Sequence, residues 1–201
     1  MTTKEKIMDV ALHMFSERGY EAVSIRDICG EVGIKESTLY YHFKNKKDIL
    51  DSLVSKFKDH IEGLLSHIDE IPEEASQKKA KKSDIATSKI MDTYMMDSYL
   101  FDPFCNLMIR LMMIEQFHNE EMRVLYEKTL FTDPYEIYMN VFKRLAKQGV
   151  LPEEQAEIIV RQYHAYMTML TFKYLLNGEL TEQRKKAYAK EVHALMKGFG
   201  S

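Results

Sequence analysis

Between Ser24 and Leu50 two short helical stripes of apolar residues are separated by a single glycine, and no other feature limits the fold as much. Ser24 is a natural helix cap, and Asp27, three residues on, takes the reciprocal position of a capping box. Ile25, Ile28, Cys29 and Val32 make the apolar face of the helix that follows. Gly33 then stands where a tight turn needs a residue tolerant of positive φ. The second stripe lies in "ESTLYYHF". At 100° per residue, Leu39 and Phe43 fall together and point inward. Ser37, Thr38, Tyr41 and His42 cover the opposite arc, with Tyr40 on the flank. Two short helices joined around a glycine form the helix-turn-helix pattern.

Core packing alone leaves Tyr41 and His42 as exposed aromatics without a reason. A recognition helix supplies one, because its outer arc must carry hydrogen-bonding groups into the DNA major groove. Tyr40 on the flank can offer its hydroxyl to a phosphate while its ring packs on the domain. Whole-chain charge is silent here: the net is −3. Within residues 35–47, however, Lys35, Lys44, Lys46 and Lys47 face only Glu36, so an anion-binding surface would be local.

The rest of the 201 residues reads as helix almost throughout, with four prolines and eight glycines as punctuation. Ile7, Val10, Ala11, Met14 and Phe15 form a first stripe that stops at Gly19. After a break at Asn45, a long helix is expected from Lys46 to about Ile68. Residues 69–84 read as a polar loop or a solvated first turn. Further helices are expected near 85–100, 103–118, 119–130, 133–148, 153–177 and 181–198, with breaks at Pro103, Asn119, Asp133-Pro134, Gly149 with Pro152, and Gly178. The fold class is therefore all-α. It consists of a three-helix helix-turn-helix domain over residues 1–48 and a larger helical domain over 49–201. Cys29 and Cys105 sit among apolar residues and are expected as buried free thiols. No apolar run reaches the ~20 residues of a membrane span, and no leader pattern opens the chain, so a cytoplasmic protein is expected. No metal-ligand spacing, nucleophile elbow or phosphate loop is present, so neither an enzyme nor a cofactor is expected.

The segment "IMDVALHMFSERGYEAVSIRDICGEVGIKESTLYYHFKNKKDIL" resembles the tetracycline-repressor (TetR) family of bacterial transcription regulators. The shared pattern is an A-x-x-x-F helix, G-Y, a capped helix ending before G-I, and T-L-Y-x-H-F-x-x-K, over roughly residues 4–50. The resemblance implies that Ser24 and the helix it opens meet a phosphate and that Arg26 reaches a base or a phosphate. It implies that Ser37, Thr38, Tyr41 and His42 face the groove and that Tyr40 and Lys46 clamp phosphates. Lys35 departs from the Ser or Thr the family often has there. Lysine is a poor cap, so Lys35 is expected on the DNA backbone instead. Glu36 could accept from a cytosine amino group or simply favour the helix N-terminus; the second is preferred.

Beyond residue 50 the chain is rich in Met and aromatic residues. The plain reading is core packing with Met as adaptable filler. The resemblance adds a ligand cavity lined by some of them, and the candidates are Tyr94, Phe104, Met108, Met112, Tyr138, Phe142, Tyr163 and Met167. The implied effector is small and largely apolar, aromatic or cationic rather than a sugar or nucleotide. Residues 153–177 are apolar around most of the helix, too much for one buried face. With 181–198, which offers Tyr188, Val192, Leu195, Met196 and Phe199, they are expected to form a homodimer interface. The leading reading is a ligand-responsive repressor on a palindromic DNA operator. The alternatives are a helical small-molecule-binding protein without DNA binding, and a regulator controlled by a protein partner.

Overall fold

The computed structural model describes residues 1–69, 96–147 and 152–199. Among these residues every regular element is a helix: α1 (Thr3–Arg18), α2 (Ile25–Val32), α3 (Glu36–His42), α4 (Lys46–Asp69), α5 (Pro103–Glu115), α6 (Glu120–Glu127), α7 (Asp133–Lys147), α8 (Ala156–Leu170) and α9 (Glu182–Phe199). Three single π-helical turns, Met96–Leu100, Lys128–Thr132 and Thr171–Leu176, and a 3₁₀ turn, Glu153–Gln155, complete the set. No helix of the described residues is long and apolar enough to cross a membrane.

The chain forms two compact units. The first joins residues 1–64 with 107–126, so it extends past the helix-turn-helix into α4, most of α5 and α6. Its local starts follow the sequence. Thr2 and Glu5 close a capping box on α1, Ser24 and Asp27 another on α2, and the Asn45 side chain accepts from Asp48 N–H at 2.9 Å to open α4. Gly33 adopts φ 77°, ψ 37°, and the N–H groups of Gly33 and Ile34 both donate to Cys29 O, at 2.9 and 3.0 Å. That left-handed cap ends α2 and turns the chain into α3. Ile7, Ala11, Phe15, Ile28, Leu39, Phe43, Ile49 and Leu53 are all buried. Cys29 and Cys105 are buried free thiols, as expected.

The second unit comprises residues 65–106 and 127–201. Its core gathers Tyr138 and Phe142 of α7, Val160, Tyr163, Met167 and Leu170 of α8, Leu175, and Tyr188 and Val192 of α9. Two sequence expectations are corrected here. Asp133-Pro134 is no break: α6 runs through the π turn Lys128–Thr132 directly into α7. Pro134 falls in the first turn of α7, where its missing N–H is tolerated. Tyr188 and Val192, expected on an intersubunit face, are buried inside this unit's own core. Tyr188 meets Phe101 edge-on at 5.7 Å, and Leu195 packs against the same core.

Candidate functional site

The α2–turn–α3 unit presents one outward face. Leu39 and Phe43 anchor α3 beneath it. Ser37 and Tyr41 are exposed, Thr38 and His42 half-exposed, and Tyr40 lies on the flank. Tyr41 is 85% exposed, an unusual setting for an aromatic ring, and its ring meets that of His42 edge-on at 5.1 Å. Lys35 starts α3 in extended backbone and makes no side-chain cap, leaving its ammonium for other work. Glu36 lies in the first turn of α3, as preferred, and its Oε1 also accepts from Arg26 Nε at 3.1 Å, tying that turn to α2 across an exposed surface. The Ser24 hydroxyl and N–H are both engaged with Asp27, whose carboxyl these bonds hold below its usual range. Ser24 therefore stiffens the N-terminus of α2.

Lys46, at the start of α4, turns toward the protein. Its ammonium donates to Tyr20 O at 2.8 Å, lies 4.1 Å over the Tyr20 ring and 3.9 Å from Glu21. Only about a fifth (20%) of its side chain is exposed. The same Tyr20 peptide is gripped from its other side. Glu115 at the end of α5, buried, accepts from Tyr20 N–H at 2.8 Å. The turn between α1 and α2 is thus clamped by one residue from α4 and one from α5, all within the first unit.

In the second unit a small cavity of about 30 Å³, partly open to solvent, lies among α7, α8, α9 and the π turns. Of the eight ligand candidates, Tyr138 and Met167 line it. Phe142 and Tyr163 do not; they pack with Tyr138, at 5.5 Å between Phe142 and Tyr163 and 4.9 Å between Tyr138 and Tyr163. Met108 and Met112 are buried in the first unit, Phe104 is half-buried away from the cavity, and Tyr94 lies outside the described residues. The lining adds Tyr99, Thr129, Leu130, His164, Thr168 and Tyr188, none of them named from the sequence as ligand candidates. Tyr99 donates its hydroxyl to Thr129 O at 3.2 Å, and His164 Nε2 lies 3.2 Å from Leu130 O. Burial pushes the Tyr99 hydroxyl pKa up and keeps it a donor. Burial also lowers the His164 pKa, against the smaller opposing effect of the Leu130 carbonyl.

Residues 7–53, which hold α1, α2, α3 and the start of α4, match the family model of bacterial regulatory proteins, tetR family. The N-terminal domain belongs to the tetR family. This tetR-family segment is also where sequence relatives align. The chain is 40% identical over 62 residues to the biofilm operon icaADBC HTH-type negative transcriptional regulator IcaR of Staphylococcus aureus, covering 31% of this chain and 33% of that protein. It is 41% identical over 68 residues to the protein of the same name from Staphylococcus epidermidis, covering 33% and 37%. The matched segment thus spans about a third of the length of these relatives. Across nearly the whole chain the fold resembles that of a transcriptional regulator from Saccharomonospora viridis crystallised with choline, at TM-score 0.60 and 20% identity, covering 94% of this chain and 95% of that one.

Within the tetR-family domain, sequence reasoning placed Ser37, Thr38, Tyr41 and His42 on one arc, with Tyr40 on its flank, because helical periodicity fixes that geometry locally. It missed Glu115, whose bond to Tyr20 joins residues 95 positions apart. It also missed the cavity donors. One signal was available: Pro134 inside a helical stretch has no N–H for the carbonyls of Thr129 or Leu130. Buried carbonyls need partners, so side-chain donors had to come from elsewhere.

Proposed function

We propose that this protein is a transcriptional repressor that binds a palindromic DNA operator as a homodimer and is released by a small, largely apolar effector. One observation carries the reading: an exposed arc of Ser37, Thr38 and Tyr41, on a helix fixed by Leu39 and Phe43. In it, Tyr41 and Thr38 read base edges, while Tyr40 and Lys35 contact phosphates. Arg26 is presented to the duplex with Glu36 fixing its direction. Lys46 holds the Tyr20 turn and adds its charge to the phosphate-facing edge. The Staphylococcus regulators are named as negative regulators, which supports repression. The cytoplasm, where DNA is open to it, is the proposed location.

The dimer reading rests on α8. Ile158 (59% exposed) and Met169 (45% exposed) share one stripe with Gln162 and Ala165, an apolar strip beside a buried core. Pairing through such strips would bury about 1,200–2,000 Å² in total. The test is binding of a fluorescent duplex bearing the operator across a salt series. Affinity that falls steeply and linearly in log–log form, with two chains per duplex, supports the reading. Salt-independent binding, or a monomer on the duplex, contradicts it.

A further inference from the structure

The bond between Arg26 and Glu36 joins the two helices of the reading unit near their starts. Arg26 is the second residue of α2 and Glu36 the first of α3. Glu36 Oε1 accepts from Arg26 Nε at 3.1 Å, while 86% of the arginine side chain and 44% of the glutamate side chain stay exposed. An ion pair so open to water contributes little to stability. What it fixes is direction. A guanidinium carries five N–H groups in a rigid plane. Glu36 takes the Nε edge and leaves the end that bears Nη1 and Nη2 as a two-pronged donor. In helix-turn-helix units the first helix crosses the DNA backbone, and the N-terminal residues of the second meet base edges. The tether therefore draws the arginine of α2 toward the part of α3 that faces bases.

Charge decides which acceptor those two prongs suit. A phosphate is anionic and would meet the Glu36 carboxylate together with the guanidinium, so repulsion offsets the attraction and the pair brings no net charge. The exposed Lys35 beside it suits a phosphate better. A base edge is neutral and carries no such penalty. In the major groove only guanine sets two acceptors, O6 and N7, side by side for a planar fork. We propose that Arg26 reads a guanine in each half-site through Nη1 and Nη2, and that Glu36 is the positioning residue that aims it at the base instead of a phosphate. This inference rests on the DNA-binding part of the proposed function and deepens it: a base reader from α2 joins those of α3, and its base is named.

The test compares wild type, Arg26→Ala, Glu36→Ala and Glu36→Gln in two measurements: selection from a randomised duplex library, and affinity for one fixed non-operator duplex across a salt series. Both side chains are exposed, so every variant should fold, which circular dichroism checks. Wild type should enrich guanine at one position of each half-site, roughly tenfold over the other bases. Arg26→Ala should level that position. Glu36→Ala should lose most of the guanine preference yet hold the fixed duplex at least as tightly, because a negative charge leaves the DNA-facing surface. Glu36→Gln, which keeps an acceptor oxygen for Nε, should retain more of the preference than Glu36→Ala. A merely structural role for Glu36 would move stability and not one base position. Arg26→Ala that weakens every duplex alike, with no base position changed, would make Arg26 a phosphate contact and overturn the inference. So would a guanine preference untouched by Glu36→Ala, or one lost equally in the two Glu36 variants. A symmetric sequence enriched by wild type but indifferent to Arg26 removes this inference and leaves the regulator reading standing; a library that stays random with wild type removes both.

Discussion

Replacing Glu115 probes the clamp on the α1–α2 turn. Glu115 is 7% exposed and its carboxylate accepts from Tyr20 N–H at 2.8 Å, while Lys46 holds the carbonyl of the same residue at 2.8 Å. Two variants separate the hydrogen bond from the bulk. Glu115→Gln keeps an acceptor oxygen at nearly the same place. Glu115→Met keeps the volume and has none, leaving a half-buried backbone N–H without a partner. An orphaned buried donor costs about 1–3 kcal/mol, whereas exchanging a charged for a neutral acceptor costs roughly 1 kcal/mol or less. Urea denaturation followed by far-ultraviolet circular dichroism should therefore rank wild type, Gln and Met in that order, with Met about 1–2 kcal/mol below Gln. Because the turn also seats Lys46, Met should weaken DNA binding too, alike for all sequences. Equal stabilities of the Gln and Met variants, within about 0.5 kcal/mol, would refute the reasoning.

Gly33→Ala should destabilise by about 1–2 kcal/mol, purely from the left-handed backbone, since nothing lies within 4 Å of an added Cβ; a thermal melt checks it. Lys46→Ala should weaken operator and non-specific DNA alike, whereas Tyr41→Ala should narrow the gap between them, which competition binding resolves. Ile158→Lys should shift the proposed dimer toward monomer by at least about tenfold in dissociation constant, read by light scattering against concentration. His164 has its pKa lowered from 6.5 on folding, so the unfolded chain takes up its proton first. The stability that neutral His164 supports is present above pH 6.5 and falls as pH drops from there toward the lowered folded value; His164→Phe should lack this part of the pH dependence.

What the sequence disclosed was local. Ser24 with Asp27 and Gly33 with its positive φ are set by residues within a few positions of each other, and the structure holds them as read. The orientation of α3 follows from helical period, which decides that Leu39 faces in and Tyr41 out. Period does not say what covers an apolar stripe. Tyr188 and Val192 were read as an intersubunit face, yet they close their own unit's core. Proline was read too simply at residue 134, because a π turn absorbs it without a loop. Met108 and Met112 show the same limit: their type suits a cavity or a core, and only the tertiary fold puts them in the core of the first unit. Arg26 was read against DNA and Glu36 chiefly as a favourable charge at the start of α3; what the sequence did not disclose is that the two meet across the turn, ten residues apart.

Selection of bound duplexes from a randomised library, run in parallel with wild type and Tyr41→Ala, tests the central claim most directly. The account predicts that wild type enriches one two-fold symmetric sequence with half-sites at least about one helical turn apart, and that Tyr41→Ala changes the preferred bases inside each half-site while keeping their spacing. A library that stays random with wild type, or an unchanged sequence with Tyr41→Ala, would contradict the assignment of α3 as the reading element.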